Sequence, residues 1–107
     1  MRTEAAVVAG PCYLGIDAGT GGVRCAVCSI EGRIIASAAV GYEQAEVEGL
    51  PAGWHEQRPQ VWWDALVRCI RELWKDADPA QVAALSVDST SGTVLFLDDS
   101  GRPLRPA

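Results

Sequence analysis

Residues 15–24 read GIDAGTGGVR: an acid at the end of an apolar run, five small or hydroxyl residues after it, then a valine and an arginine. The segment on the C-terminal side of this loop decides the fold. A P-loop needs G-x-x-x-x-G-K-[ST], but the first lysine in the chain is Lys75; a dinucleotide turn needs G-x-G-x-x-G, but Arg24 stands three residues after Gly21. Both of those loops lead into a helix, whereas Val23 to Ile30 is rich in β-branched and small residues and reads as a strand. The loop is therefore expected to join strand to strand. Such a glycine-rich hairpin can point successive backbone N–H groups at an anion, with Thr20 adding a hydroxyl. Asp17 would repel a bare phosphate, so its presence there makes sense through a hard cation such as Mg²⁺ shared between carboxylate and phosphate oxygens. The alternative is a hairpin whose glycines supply positive φ and whose Asp17 bonds its own turn.

Working outward, Tyr13 to Asp17 reads as a short apolar strand, and Glu31-Gly32 turns the second strand into a third over 33–40. Residues 41–58 lack a sustained period and read as a surface excursion. Pro59 suits a helix first turn, and Trp62, Leu66, Cys69, Ile70 and Leu73 recur at helical spacing, predicting a helix over 59–76 closed by Asp78-Pro79. Arg58 before Pro59 offers no N-cap oxygen. Short strands are expected over 82–87 and 93–97, with Asp98 to Gly101 as a turn. Three strands, a crossover helix and a further strand imply a mixed α/β sheet.

The 107 residues allow one small domain, and a net charge of -5 disfavours nucleic acid or an anionic membrane as partners. No run is long enough to span a bilayer, and residues 1–12 are too weakly basic for a signal peptide, so a cytoplasmic location is expected. Cys12, Cys25, Cys28 and Cys69 lie in apolar periodic segments and are expected as reduced thiols. Zinc binding by Cys25 and Cys28 is disfavoured, because His55 is the only histidine and strand residues three apart face opposite ways. The tryptophans at 62, 63 and 74 are expected as core and rim packing.

Three stretches together resemble the FGGY carbohydrate kinases, whose fold is the ribonuclease-H-like, actin-like ATPase fold. YLGIDAGTGGVRCAV resembles their opening strands, GWHEQRPQVWWDAL their Gly-Trp-x-Glu-Gln-x-Pro segment, and VAALSVDSTSGTVLFLDDSGRPLRP their next strand, substrate loop and hairpin. Ser91 and Gly92 stand where similar glycerol kinases carry Arg-Glu and many xylulokinases Met-His, and STSGTVLFLD is similar instead to pentulose kinases of the ribulokinase type, most of all the D-ribulokinases of cyanobacteria and plants.

The resemblance implies ATP and Mg²⁺ as cofactors and a ketopentose such as D-ribulose as substrate. It implies that Asp17 holds the metal near the sugar hydroxyl and that Gly19, Thr20, Gly21, Gly22 and Arg24 cradle the ATP phosphates, although Arg24 can equally be a structural ion-pair partner. Ser91 and Gly92 would line the sugar site, while Trp54, Glu56 and Gln57 anchor a loop. The family's catalytic aspartate, second phosphate loop and adenosine site lie beyond the matching region. The chain is accordingly expected to be an incomplete N-terminal part of the first kinase domain, inactive alone, with exposed sheet surfaces open to oligomerisation or strand exchange. The alternatives are a xylulokinase or other FGGY polyol kinase, or a non-catalytic nucleotide-binding or structural piece of the same superfamily.

Overall fold

The computed structural model describes residues 10–107; the first nine residues, most of the segment weighed as a signal peptide, lie outside it. Four strands, β1 (Cys12–Ala18), β2 (Gly22–Ser29), β3 (Ile34–Gly41) and β4 (Val82–Ser89), form one sheet in the order β3-β2-β1-β4. β1 to β3 make an antiparallel meander, and β4 returns parallel to β1 after the helix α1 (Pro59–Leu73). The mixed α/β sheet is the one expected from the element order.

Each inner strand alternates with period two, so one face becomes the core. Cys12, Leu14 and Ile16 of β1 and Val23, Cys25 and Val27 of β2 are buried. α1 packs over β2 and β3, closing this face with Ala65, Cys69 and Leu73. Its cover stops short of β4: Leu85 and Val87 stand in register with the buried Leu14 and Ile16, yet remain 60% and 56% exposed. The opposite face carries Asp17 and Arg24 among small residues.

α1 begins at Pro59 with Arg58 as an N-cap that makes no side-chain cap bond, as expected. The guanidinium instead donates to the carbonyls of Gln44 (3.1 Å) and Glu46 (2.7 Å), tying the excursion to the start of the helix. The helix ends at Leu73 and not at residue 76. Asp78 precedes Pro79 and is extended (φ -100, ψ 115), so the backbone leaves the α region before the proline, with Ala77 donating back to the Leu73 carbonyl (2.9 Å).

The strand expected over 93–97 does not form. Only an isolated bridge joins Leu97 to Pro103, flanked by Asp98 N–H to Arg102 O (2.9 Å) and Leu104 N–H to Phe96 O (2.9 Å). Proline has no N–H, so Pro103 cannot extend a ladder. The Asp98 turn itself is present, its carboxylate accepting from the N–H groups of Ser100 and Arg102.

All four cysteines are free thiols; Cys12, Cys25 and Cys69 are buried and Cys28 is half-buried. Cys69 donates to the Ala38 carbonyl (3.3 Å), and burial together with the Cys69 partner pushes Cys25 up to about 12. A folded-state value above the unfolded one stabilises below the unfolded thiol range and loses that contribution as pH rises toward the folded value. Stability should therefore decline in the alkaline range. Alkylation by iodoacetamide at neutral pH is expected to label Cys28 first, with the other three labelled only in denaturant; equal labelling of all four in the native state would contradict this packing.

Candidate functional site

The loop between β1 and β2 is tight because Gly19 N–H closes on the Gly22 carbonyl at 2.8 Å. None of Gly19, Gly21 and Gly22 has a positive φ, so handedness is not why glycine stands there. At Gly22 the reason is space. A Cβ would lie 2.7 Å from the Val40 carbonyl oxygen and 3.1 Å from Gly41 Cα, so β2 and β3 could not pair as closely. A Cβ on Gly19 would meet Gly22 O at 3.2 Å and an Arg24 nitrogen at 3.3 Å, whereas one on Gly21 would meet nothing within 4 Å. Gly22→Ala is therefore expected to destabilise the chain by about 1–3 kcal/mol through backbone displacement, while Gly21→Ala leaves the thermal midpoint unchanged; equal midpoints for the two variants would refute the contrast.

Sheet register sets the charges. Asp17 faces Arg24 across the antiparallel pair and Asp88 across the parallel pair, so three ionisable side chains form one row over β2, β1 and β4. Arg24 donates to Asp17 Oδ2 through Nε (3.0 Å) and a terminal nitrogen (2.5 Å). This bond holds the Asp17 carboxyl below the usual carboxylate range and raises Arg24. Asp88, hydrogen-bonded to Asp17 and facing its charge, is pushed up. The row borders an open depression of about 770 Å³ floored by Gly15, Ala26, Ser37 and Ser86.

A second cavity, about 360 Å³, lies past the ends of β1 and β4 and is lined by Thr20, Gln57, Trp62, Ser89, Thr90 and Gly92, among others. Thr20 and Thr90 hydroxyls meet at 3.0 Å, joining the glycine loop to the Ser/Thr-rich loop. Gly92 adopts φ +82, the left-handed region that favours glycine. Ser91 is exposed and is not part of the cavity wall. Among the residues of the Gly-Trp-x-Glu-Gln segment, Gln57 enters the cavity, Glu56 pairs with Arg105, and Trp54 is 61% exposed.

The structure thus sets Asp17 and Arg24 beside Asp88 along the first depression, and Thr20 and Gly92 beside Trp62 around the second cavity. Asp88 escapes sequence reasoning because the apolar signal of β4 runs out at Val87, one residue before it. Trp62, expected as packing, is half-buried and donates its indole N–H to Gln57 Oε1 at 2.8 Å. Among the described residues no group of three or more His, Cys, Asp and Glu is placed to hold a metal ion, and no helix is long and apolar enough to cross a membrane.

The chain as a whole has counterparts among known proteins. The chain is 33% identical over 95 residues to the xylulose kinase of Escherichia coli strain K12, a match covering 89% of this chain and 19% of that protein. It is 33% identical over 93 residues to the glycerol kinase of Thermococcus gammatolerans, covering 85% and 18%. The ligand-bound xylulose kinase of Lactobacillus acidophilus superposes with a TM-score of 0.74 at 25% identity, covering 90% of this chain and 19% of that one. The chain spans about a fifth of the length of the curated relatives it matches. Residues 12–107 match the N-terminal domain model of the FGGY family of carbohydrate kinases, and with these relatives and this fold the chain belongs to that family.

Proposed function

We propose that this chain is part of the N-terminal domain of a sugar kinase that transfers a phosphoryl group from ATP to a ketopentose, D-ribulose foremost. The observation that carries the reading is the junction of the two loops at Thr20 and Thr90 (3.0 Å), which puts an amide-rich anion cradle against a cavity walled by hydroxyls. Phosphoryl transfer rests on positioning and charge stabilisation, and this arrangement supplies both on one side.

In this reading the N–H groups of Thr20, Gly21 and Gly22 face the ATP phosphates, Gly19 shapes the turn, and Arg24 adds positive charge beside them. The residues present suit Mg²⁺: Asp17, half-buried, and Asp88, exposed, are hard oxygen donors in register next to the amide loop. When bound there, the ion would neutralise charge on the transferring phosphate. Asp17 would hold it, with Arg24 moving off Oδ2. Ser89, Thr90 and Gly92 form the sugar side, the hydroxyls both donating and accepting and Gly92 allowing close approach; Ser91 reaches it only from the rim.

A second reading, D-xylulose as substrate, is favoured by the xylulose kinases among the relatives. The test is a substrate panel on the full-length kinase with ATP and Mg²⁺, monitoring ADP release. D-ribulose is expected to give the highest kcat/KM. Preference for D-xylulose would select the second reading, turnover of glycerol but no ketopentose would overturn the substrate class, and no sugar-dependent ADP release would overturn the kinase reading.

A further inference from the structure

We propose that Gln57 is a positioning residue for phosphoryl transfer, one that aims the Gly21 N–H of the glycine loop; the inference rests on the sugar-kinase reading above. Both ends of the side-chain amide are engaged. Nε2 donates to the Thr20 carbonyl (3.1 Å) and to Glu46 Oε1 (2.7 Å), while Oε1 accepts from Trp62 Nε1 (2.8 Å). An indole N–H can only donate, so the amide oxygen must face Trp62 and the NH₂ must face Thr20. The backbone of Gln57 is fixed as well, exchanging two 2.9 Å bonds with Ala107.

The Thr20 carbonyl and the Gly21 N–H belong to one planar trans unit and point in opposite directions. Holding the carbonyl through Gln57 therefore fixes where the next N–H points. Gly21 is held from its other side too, its carbonyl accepting from Tyr42 N–H at 3.0 Å, and Thr20 is held by the Thr90 hydroxyl. Gln57 reaches the phosphates only through this peptide, while Trp62 ties the same amide to the wall of the sugar cavity.

Gln57→Glu separates the branches. A carboxylate still accepts from Trp62 but has no donor for the Thr20 carbonyl, and it faces Glu46. In the full-length kinase, assayed with ATP and the preferred ketopentose, this variant is expected to lower kcat/KM for ATP by about 10- to 100-fold, a larger change than in the sugar KM, which shifts too, but less, because Gln57 also lines the second cavity. Adding Glu46→Gln restores a donor toward position 57 but none toward Thr20. The double variant should therefore regain the wild-type melting temperature while the ATP defect persists. If ATP kinetics recover together with melting, or if Gln57→Glu leaves them unchanged, Gln57 is only a structural tie and the proposal falls. A wild-type enzyme without ATP-dependent sugar phosphorylation would instead overturn the reading on which it rests.

Discussion

Asp17→Asn in the full-length kinase is expected to lower kcat by about 10²- to 10³-fold while the melting temperature stays within error of the wild type. The two halves of this expectation have separate physical causes. Asn keeps the shape and an acceptor oxygen but removes the charge that pairs with Arg24 and that would hold a hard cation against the phosphates. The fold should not notice, since Asp17 and Arg24 side chains are 43% and 66% exposed and solvent-exposed ion pairs contribute little to stability. Because Arg24 holds the Asp17 carboxyl low, the group stays ionised well into the acid range, and an acid limb in the activity profile should not come from it. The measurement is steady-state kinetics beside thermal unfolding. Activity retained at wild-type level would remove Asp17 from the metal site, and a parallel fall in melting temperature would make it a structural residue.

The largest stability effect is expected at the other face of the sheet. Leu73, fully buried at the C-terminal end of α1, packs in the same cluster as Val23, Val27 and Cys69. Leu73→Ala removes apolar contact and leaves a cavity, and losses of about 2–5 kcal/mol are usual for such sites. The upper half of that range is expected, because the residue lies on the last turn of the helix that closes the core, and collapse to fill the void would unseat the C-cap at Trp74. For a domain of about this size the loss would shift the melting temperature by roughly 10 °C or more. Trp63→Ala on the same helix is a suitable control, since Trp63 is 62% exposed. Equal effects of the two substitutions would mean that α1 does not pack as described.

Much of this architecture is legible along the chain because it depends on local periodicity. The apolar run at 13–17, the β-branched and small residues of 23–30 and the 3.6-residue spacing from Trp62 to Leu73 each point to an element without reference to the rest, within a residue or two of the observed strand bounds. The misreading of 93–97 has the same root: the residues have strand character, but pairing requires a partner with donors, and the partner contains Pro103. The site is less legible. Asp17, Thr20 and the glycines stand out as a motif, yet the Asp88 neighbour depends on the register of a parallel pair formed with a strand on the far side of α1. Gln57 likewise gains its place only once the excursion folds back on the glycine loop, which no spacing rule encodes. The expectation of a ketopentose rests on a short Ser/Thr-rich loop, of which Gly92, but not Ser91, lines the second cavity.

The glycine loop carries a further implication for how such a site can diversify. None of its glycines adopts a positive φ, so no position there depends on glycine for conformation, and crowding alone restrains Gly19 and Gly22. Gly21 is restrained by neither. A side chain could be gained there without rebuilding the loop, in a peptide whose orientation is already set from outside by Gln57 and Tyr42. Position 21 is thus the one glycine of the loop that can vary sterically, between Gly19 and Gly22, which cannot.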